Sequence, residues 1–129
     1  MEKTATLLEA VNVYFDAIYT CDVHKLDAVF HDQSSLFDAD NGDIFVDPIA
    51  SFRDDVGSRP APSDRRQRRS DDIIAIDWLS DISAVVKLRL QSHENVFVDH
   101  LSFVKGPTGW KIVAKVWHLE ATAEVVEDR

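Results

Sequence analysis

The chain has a single cysteine, Cys21, so it cannot close an internal disulfide; that usage fits a reducing compartment. It has four glycines, too few for a glycine-rich phosphate cradle to be expected. No apolar run approaches the ~18 residues of a membrane span, and no signal-peptide pattern opens the sequence. A cytoplasmic protein without a membrane partner is the expectation. Basic residues are the minority, 14 Lys and Arg against 23 Asp and Glu, for a formal charge of −9. Such a surface repels phosphate overall and argues against nucleic acid as a partner. Cysteine pairs, H-x-H and H-E-x-x-H are all missing, so neither a metal nor another cofactor is expected. The lack of G-x-S-x-G argues against a serine nucleophile.

What is present suits one domain of 129 residues with a real core, its last nine residues (121–129) forming a frayed tail. Leu7, Leu8, Val11, Tyr14, Phe15 and Ile18 recur at helical spacing and predict a helix from Thr4 to Thr20, with Thr6 and Glu9 as a capping box. Asp22 caps a second short helix whose apolar face is Leu26, Val29 and Phe30. A strand at 34–39 meets the turn "DADNGD", and "IFV" returns. Asp47 and Pro48 read as cap and first residue of a third helix carrying Ile49 and Phe52 and ending at Gly57. The basic run from Arg65 to Arg69 is flanked by acids and reads as a solvated loop or the entry to an edge strand.

Four long strands come next, at 72–79, 83–93, 95–105 and 110–120. Helices first and a meander after predict an α+β fold. Strict alternation puts Val86, Leu88 and Leu90 on one face with Phe97, Leu101 and Phe103, and with Ile112, Ala114, Val116 and His118. The other face carries Lys87, Arg89, Lys111 and Lys115, with Val98, Val113, Trp117 and Leu119, and His100 points the same way. A sheet apolar on both sides needs two covers. The helices supply one, and a second copy pairing through the outer sheet face is expected to supply the other, burying Trp117, Val113 and Leu119. Asp99 falls among Phe97, Leu101 and Phe103, where a carboxylate is costly unless paired, hydrogen-bonded or protonated.

The element order, with "YFDAIYTCDVHKLDAVFH" and "FVDHLSFVKGPTGWKIVAKVWHLE", resembles the nuclear transport factor 2-like superfamily. Within it the chain looks most similar to a bacterial subgroup named for lumazine binding. The resemblance implies a cone: a strongly curved, mostly antiparallel sheet wrapped around three helices from the first half of the chain, with a pocket at the open end. Ketosteroid isomerases and SnoaL-like cyclases share that cone, called cystatin-like, with non-catalytic binders. Residue by residue, the isomerase pattern implies a hydrogen-bonding phenol at Tyr14 in "YFDAIYTCD", a general base at Asp38 after "FHDQSSLF", and a protonated acid at Asp99 in "VDHLSF". The isomerase's supporting tyrosines have no evident counterpart, and Arg53 stands near where one is expected.

A neutral acid beside a phenol can hold an enolate oxygen, while a carboxylate moves the proton next to the carbonyl. His118 is a further acid/base candidate. The expected ligand is small and apolar or aromatic, contacting Phe15, Ile18, Phe52, Leu88, Phe97, Leu101, Ala114 and Val116. Asp99 is expected to be buried, bonded to the Tyr14 hydroxyl, free of Lys or Arg, and raised in pKa. Three readings stay open here: a proton-transfer isomerase, cyclase or dehydratase; a ligand-binding module; and a dimerisation scaffold.

Overall fold

Glu2, and not Thr6, caps the first helix. Its carboxylate accepts the N–H groups of Thr4 and Ala5 at 2.8 and 3.3 Å, and α1 runs Lys3–Thr20. Thr6 is one turn inside, where its hydroxyl donates to the Lys3 carbonyl and accepts from the Trp110 indole at 3.0 Å. Cys21 closes α1 in the left-handed region at φ 50°. Asp22 then caps α2 (Val23–Val29) by accepting the N–H groups of His24 and Lys25. Such a cap contributes ~1 kcal/mol. The computed structural model describes residues 2–128.

Phe30 leaves α2 and opens β1 (Phe30–Asp38), so this strand starts four residues before the sequence suggested. β2 is Phe45–Pro48 and α3 is Ile49–Ser58. Asp47 is a buried strand residue there, and α3 begins without a side-chain cap. Gly57 lies inside α3 and does not end it. A short 3-10 turn, Pro62–Arg65, precedes β3 (Asp71–Ser80), β4 (Ser83–Ser92), β5 (Asn95–Gly106) and β6 (Gly109–Thr122).

The six strands lie in the order β2-β1-β6-β5-β4-β3. Every neighbouring pair is antiparallel except β1 with β6, which is parallel. The architecture is α+β, a cone with its helices inside, as expected. α1 lays Leu7, Val11, Tyr14, Phe15 and Ile18 against a sheet face built from Val86, Leu88, Leu90, Leu101, Phe103 and Ile112, all buried. Full burial of one such side chain stabilises by ~1.5–3 kcal/mol.

Two irregularities in the β5–β6 ladder decide which side chains face the helices. Ser102 pairs with Ala114 but Phe103 pairs with Ile112, which leaves Val113 as an extra residue on β6. Near the other end, Phe97 pairs with Leu119 and Val96 with Ala121, which leaves Glu120 extra. Each is a β-bulge, and each reverses the phase of the residues beyond it. Ile112 faces inward before the first bulge; Lys115 and Trp117 do so after it. Ala114, Val116 and His118 are thereby turned to the outer face, opposite the side that strict alternation assigns.

The tail pairs where fraying was expected. Gln67 bridges Glu127, and the Arg68 and Asp128 amides donate to Val126 and Arg66. Within the basic run, Arg65 meets Glu94 and Glu127, Arg68 meets Asp128, and Arg69 meets Asp16 and Asp71. These ion pairs engage three of the four arginines of the run. No helix is long and apolar enough to cross a membrane among the described residues.

Candidate functional site

β5 sets Asp99 on the concave face between Phe97 and Leu101, with Leu88 of β4 and Trp117 of β6 as its cross-strand partners. The carboxyl group is 1% exposed. From α1, the Tyr14 hydroxyl donates to Asp99 Oδ2 at 2.5 Å. That phenol is itself fully buried, and its pKa is held well above the ordinary tyrosine value, first by desolvation and then by the Asp99 charge. Tyr14 therefore keeps its proton and serves as a donor.

The expectation that no cation touches Asp99 fails. Lys115 Nζ lies 3.8 Å from Asp99 Oδ2, because the bulge at Val113 swings Lys115 inward. This removes the premise of the neutral-acid role, which required an apolar setting without a basic residue. Lys115 is pulled two ways. Burial pushes its pKa down and Arg59 adds to that, while the charges of Asp99 and Asp47 hold it up; the net direction is down. The second oxygen of the carboxyl group, Asp99 Oδ1, is buried and has no hydrogen-bond partner, the one such side-chain atom among the described residues.

A cavity of about 220 Å³ opens over this cluster. Its aromatic wall is Phe97, Trp117, Phe52 and Phe45, with Phe97 and Trp117 edge-to-face at 5.6 Å between centroids. Ile18, Leu36 and Leu90 add apolar surface. β2 contributes the buried Asp47, and α3 brings Asp55 with Arg59 just beyond its end, the Arg59 guanidinium lying 5.7 Å from the Phe52 ring.

Of the residues predicted to form the site, Tyr14, Ile18, Phe52, Phe97 and Asp99 line this cavity. Phe15, Leu88 and Leu101 are buried in the core beneath it. Asp38 does not line the cavity; it ends β1, and its carboxylate accepts the Asp40 N–H at 3.3 Å in the acidic turn. Ala114, Val116 and His118 lie on the outer face, where His118 Nδ1 meets Asp40 at 2.6 Å. Arg53 pairs with Asp27 at 2.8 Å and takes no part. Trp117, expected between subunits, lines the cavity.

Sequence reasoning missed Lys115, Trp117, Asp47, Asp55 and Arg59. One signal for the first two was available. Trp110 and Trp117 stand seven residues apart, so both can face inward only if the strand gains an extra residue between them. Asp47 was hidden by its place before Pro48, which mimics a helix cap.

The fold has close counterparts. An NTF-2 like protein of unknown function from Silicibacter pomeroyi superposes with a TM-score of 0.79 at 20% identity, over 91% of this chain and 95% of that one. An NTF2-like protein of unknown function from Methylobacillus flagellatus gives 0.75 at 24%, over 92% of each chain. A ketosteroid isomerase-like protein from Erwinia carotovora atroseptica gives 0.66 at 13%, over 98% of each. Comparison with curated proteins finds no match. At the level of sequence, one family profile, described as "Putative lumazine-binding", matches residues 2–118. With that match spanning nearly the whole chain, the chain belongs to the "Putative lumazine-binding" family, and it shares the fold of the NTF2-like proteins.

Proposed function

We propose that the protein binds a small, flat, largely apolar molecule that points an N–H or O–H donor at Asp99. The observation that carries this reading is Asp99 Oδ1, an acceptor buried without a partner at the base of an aromatic-walled cavity. Leaving such an acceptor unsatisfied costs ~1–3 kcal/mol, and a ligand donor recovers it. The cavity is smaller than the ~300–1,000 Å³ usual for drug-sized ligands, which favours one or two fused rings. The family description names lumazine, a fused bicyclic ring bearing N–H donors, and that chemistry suits both the aromatic wall and the acceptor.

Titration of lumazine and related N–H heterocycles, followed by tryptophan fluorescence, tests the reading, since Trp117 lines the cavity. Saturable quenching that is lost when the ring N–H groups are methylated is the expected result. Equal binding of methylated and free rings, or no quenching by any of them, would overturn it.

A second reading keeps proton transfer, with Asp47 as the base in place of Asp38. It is favoured by Asp47, which lines the cavity with little of its surface exposed. Asp47→Asn should then abolish turnover of an enolisable carbonyl compound while sparing its binding.

Pairing of two copies through the outer sheet face is also proposed. Its support is the half-exposed Val116 and the neighbouring Val85 and Val113, set beside Lys87, His100 and His118. Trp117 no longer contributes to that face.

A further inference from the structure

We propose that Lys115 is a nucleophilic amine that condenses with a small aromatic aldehyde entering the cavity, forming an imine. The proposal goes beyond reversible binding; both need the cavity to admit a small molecule, but they are read out separately.

The geometry of the amine carries the argument. Lys115 is 7% exposed and lines the cavity. Among the described residues its Nζ makes no hydrogen bond, and its nearest carboxylate oxygen is Asp99 Oδ2 at 3.8 Å. That distance is beyond hydrogen-bonding reach, and Oδ2 already accepts the Tyr14 proton. None of the three N–H groups of an ammonium here reaches a protein acceptor, whereas a neutral amine keeps a lone pair and needs none.

Each neighbouring element adds a charge or a ring. Asp99 of β5 and Asp47 of β2 attract an ammonium, and the Phe52 and Tyr14 rings, 4.7 and 5.3 Å from Nζ, do the same. Arg59 after α3 repels it, and burial disfavours it most. The balance lies on the side of the free base relative to a surface lysine. Buried lysines of this kind are the ones used for Schiff-base chemistry.

The step balances without an oxidant or reductant. Nζ attacks the carbonyl carbon, and the C=O π bond becomes a C–O bond. One N–H proton moves to that oxygen to give a carbinolamine; the C–O bond then breaks as the second N–H proton joins the departing hydroxyl, which leaves as water. The product is C=N. The flat aromatic wall of Phe97 and Trp117 favours an aromatic aldehyde over an aliphatic one.

Incubation with benzaldehyde and sodium cyanoborohydride, followed by peptide mass mapping, tests this. Reduction fixes an imine as a benzyl amine. Lys115 should be labelled clearly more than the exposed Lys105 at neutral pH, because burial lowers its pKa and a larger share of it is free base. Its labelling should approach a plateau at lower pH than that of Lys105. Unfolding in urea should erase the preference, and Lys115→Arg should leave the other lysines labelled as before. Labelling spread evenly over the lysines, or labelling that spares Lys115, would overturn the proposal, even if N–H heterocycles bind the cavity.

Discussion

Lys115 and Asp99 lie diagonally across the β5–β6 ladder, with Nζ 3.8 Å from Oδ2 and both side chains buried on the concave face. The sequence places them on opposite faces. A single extra residue, Val113, brings them together.

Because the pair is buried, removing one charge strands the other. Asp99→Asn is expected to destabilise the fold by about 3 kcal/mol or less, the loose geometry placing it at the lower end of the range for broken buried pairs. Asp99→Asn combined with Lys115→Met should recover much of the loss. Urea unfolding of the two single variants and the double variant measures the coupling; strictly additive losses would mean the two groups do not interact.

Tyr14→Phe deletes the phenol that satisfies Asp99 Oδ2. A hydrogen bond to a charged acceptor contributes ~1.5–3 kcal/mol, and a loss of that size in urea unfolding is expected. An unchanged midpoint would mean that another donor takes the place of the phenol.

Alkaline pH should act in two opposed stages. Lys115 has a folded pKa below its ordinary value, so the unfolded chain binds more protons between that folded value and ~10.4. Its contribution to stability therefore rises with pH across that window and is lost as pH falls through the folded pKa. Tyr14 is the reverse: its folded pKa is raised, so its contribution is complete below ~10 and is lost as pH climbs above that toward the folded value. Urea midpoints measured from neutral pH upward should show the first stage in the wild type and not in Lys115→Met. A rise of equal size in both would assign it to other groups.

His118→Ala should leave ligand binding unchanged, because the ring is on the outer face against Asp40. A clear loss of affinity in fluorescence titration would place His118 in the binding machinery after all.

Val116→Asp probes the outer face. It puts a carboxylate on an exposed apolar position with His100 across the ladder. If two copies pair there, sedimentation should show a dimer for the wild type and a monomer for the variant. A monomeric wild type at micromolar concentration would reject the pairing.

Much of the fold was legible in the chain. Helical spacing marked α1, the Asp22 cap marked the start of α2, and alternating apolar residues marked β4 and β5, because each signal is contained within one element. Asp99 was singled out for the same reason, an acid at one strand position among apolar neighbours. Helix ends were less legible: Glu2 outcompeted Thr6 as the cap, and α3 ran through Gly57, since propensity is a weak prior against packing. The lysine beside Asp99, the tryptophan in the cavity wall and the turning-out of His118 were decided only by the tertiary structure. All three stem from one bulge. A bulge is a property of pairing, two residues set against one on the neighbouring strand, and nothing in β6 alone says which residue is the extra one.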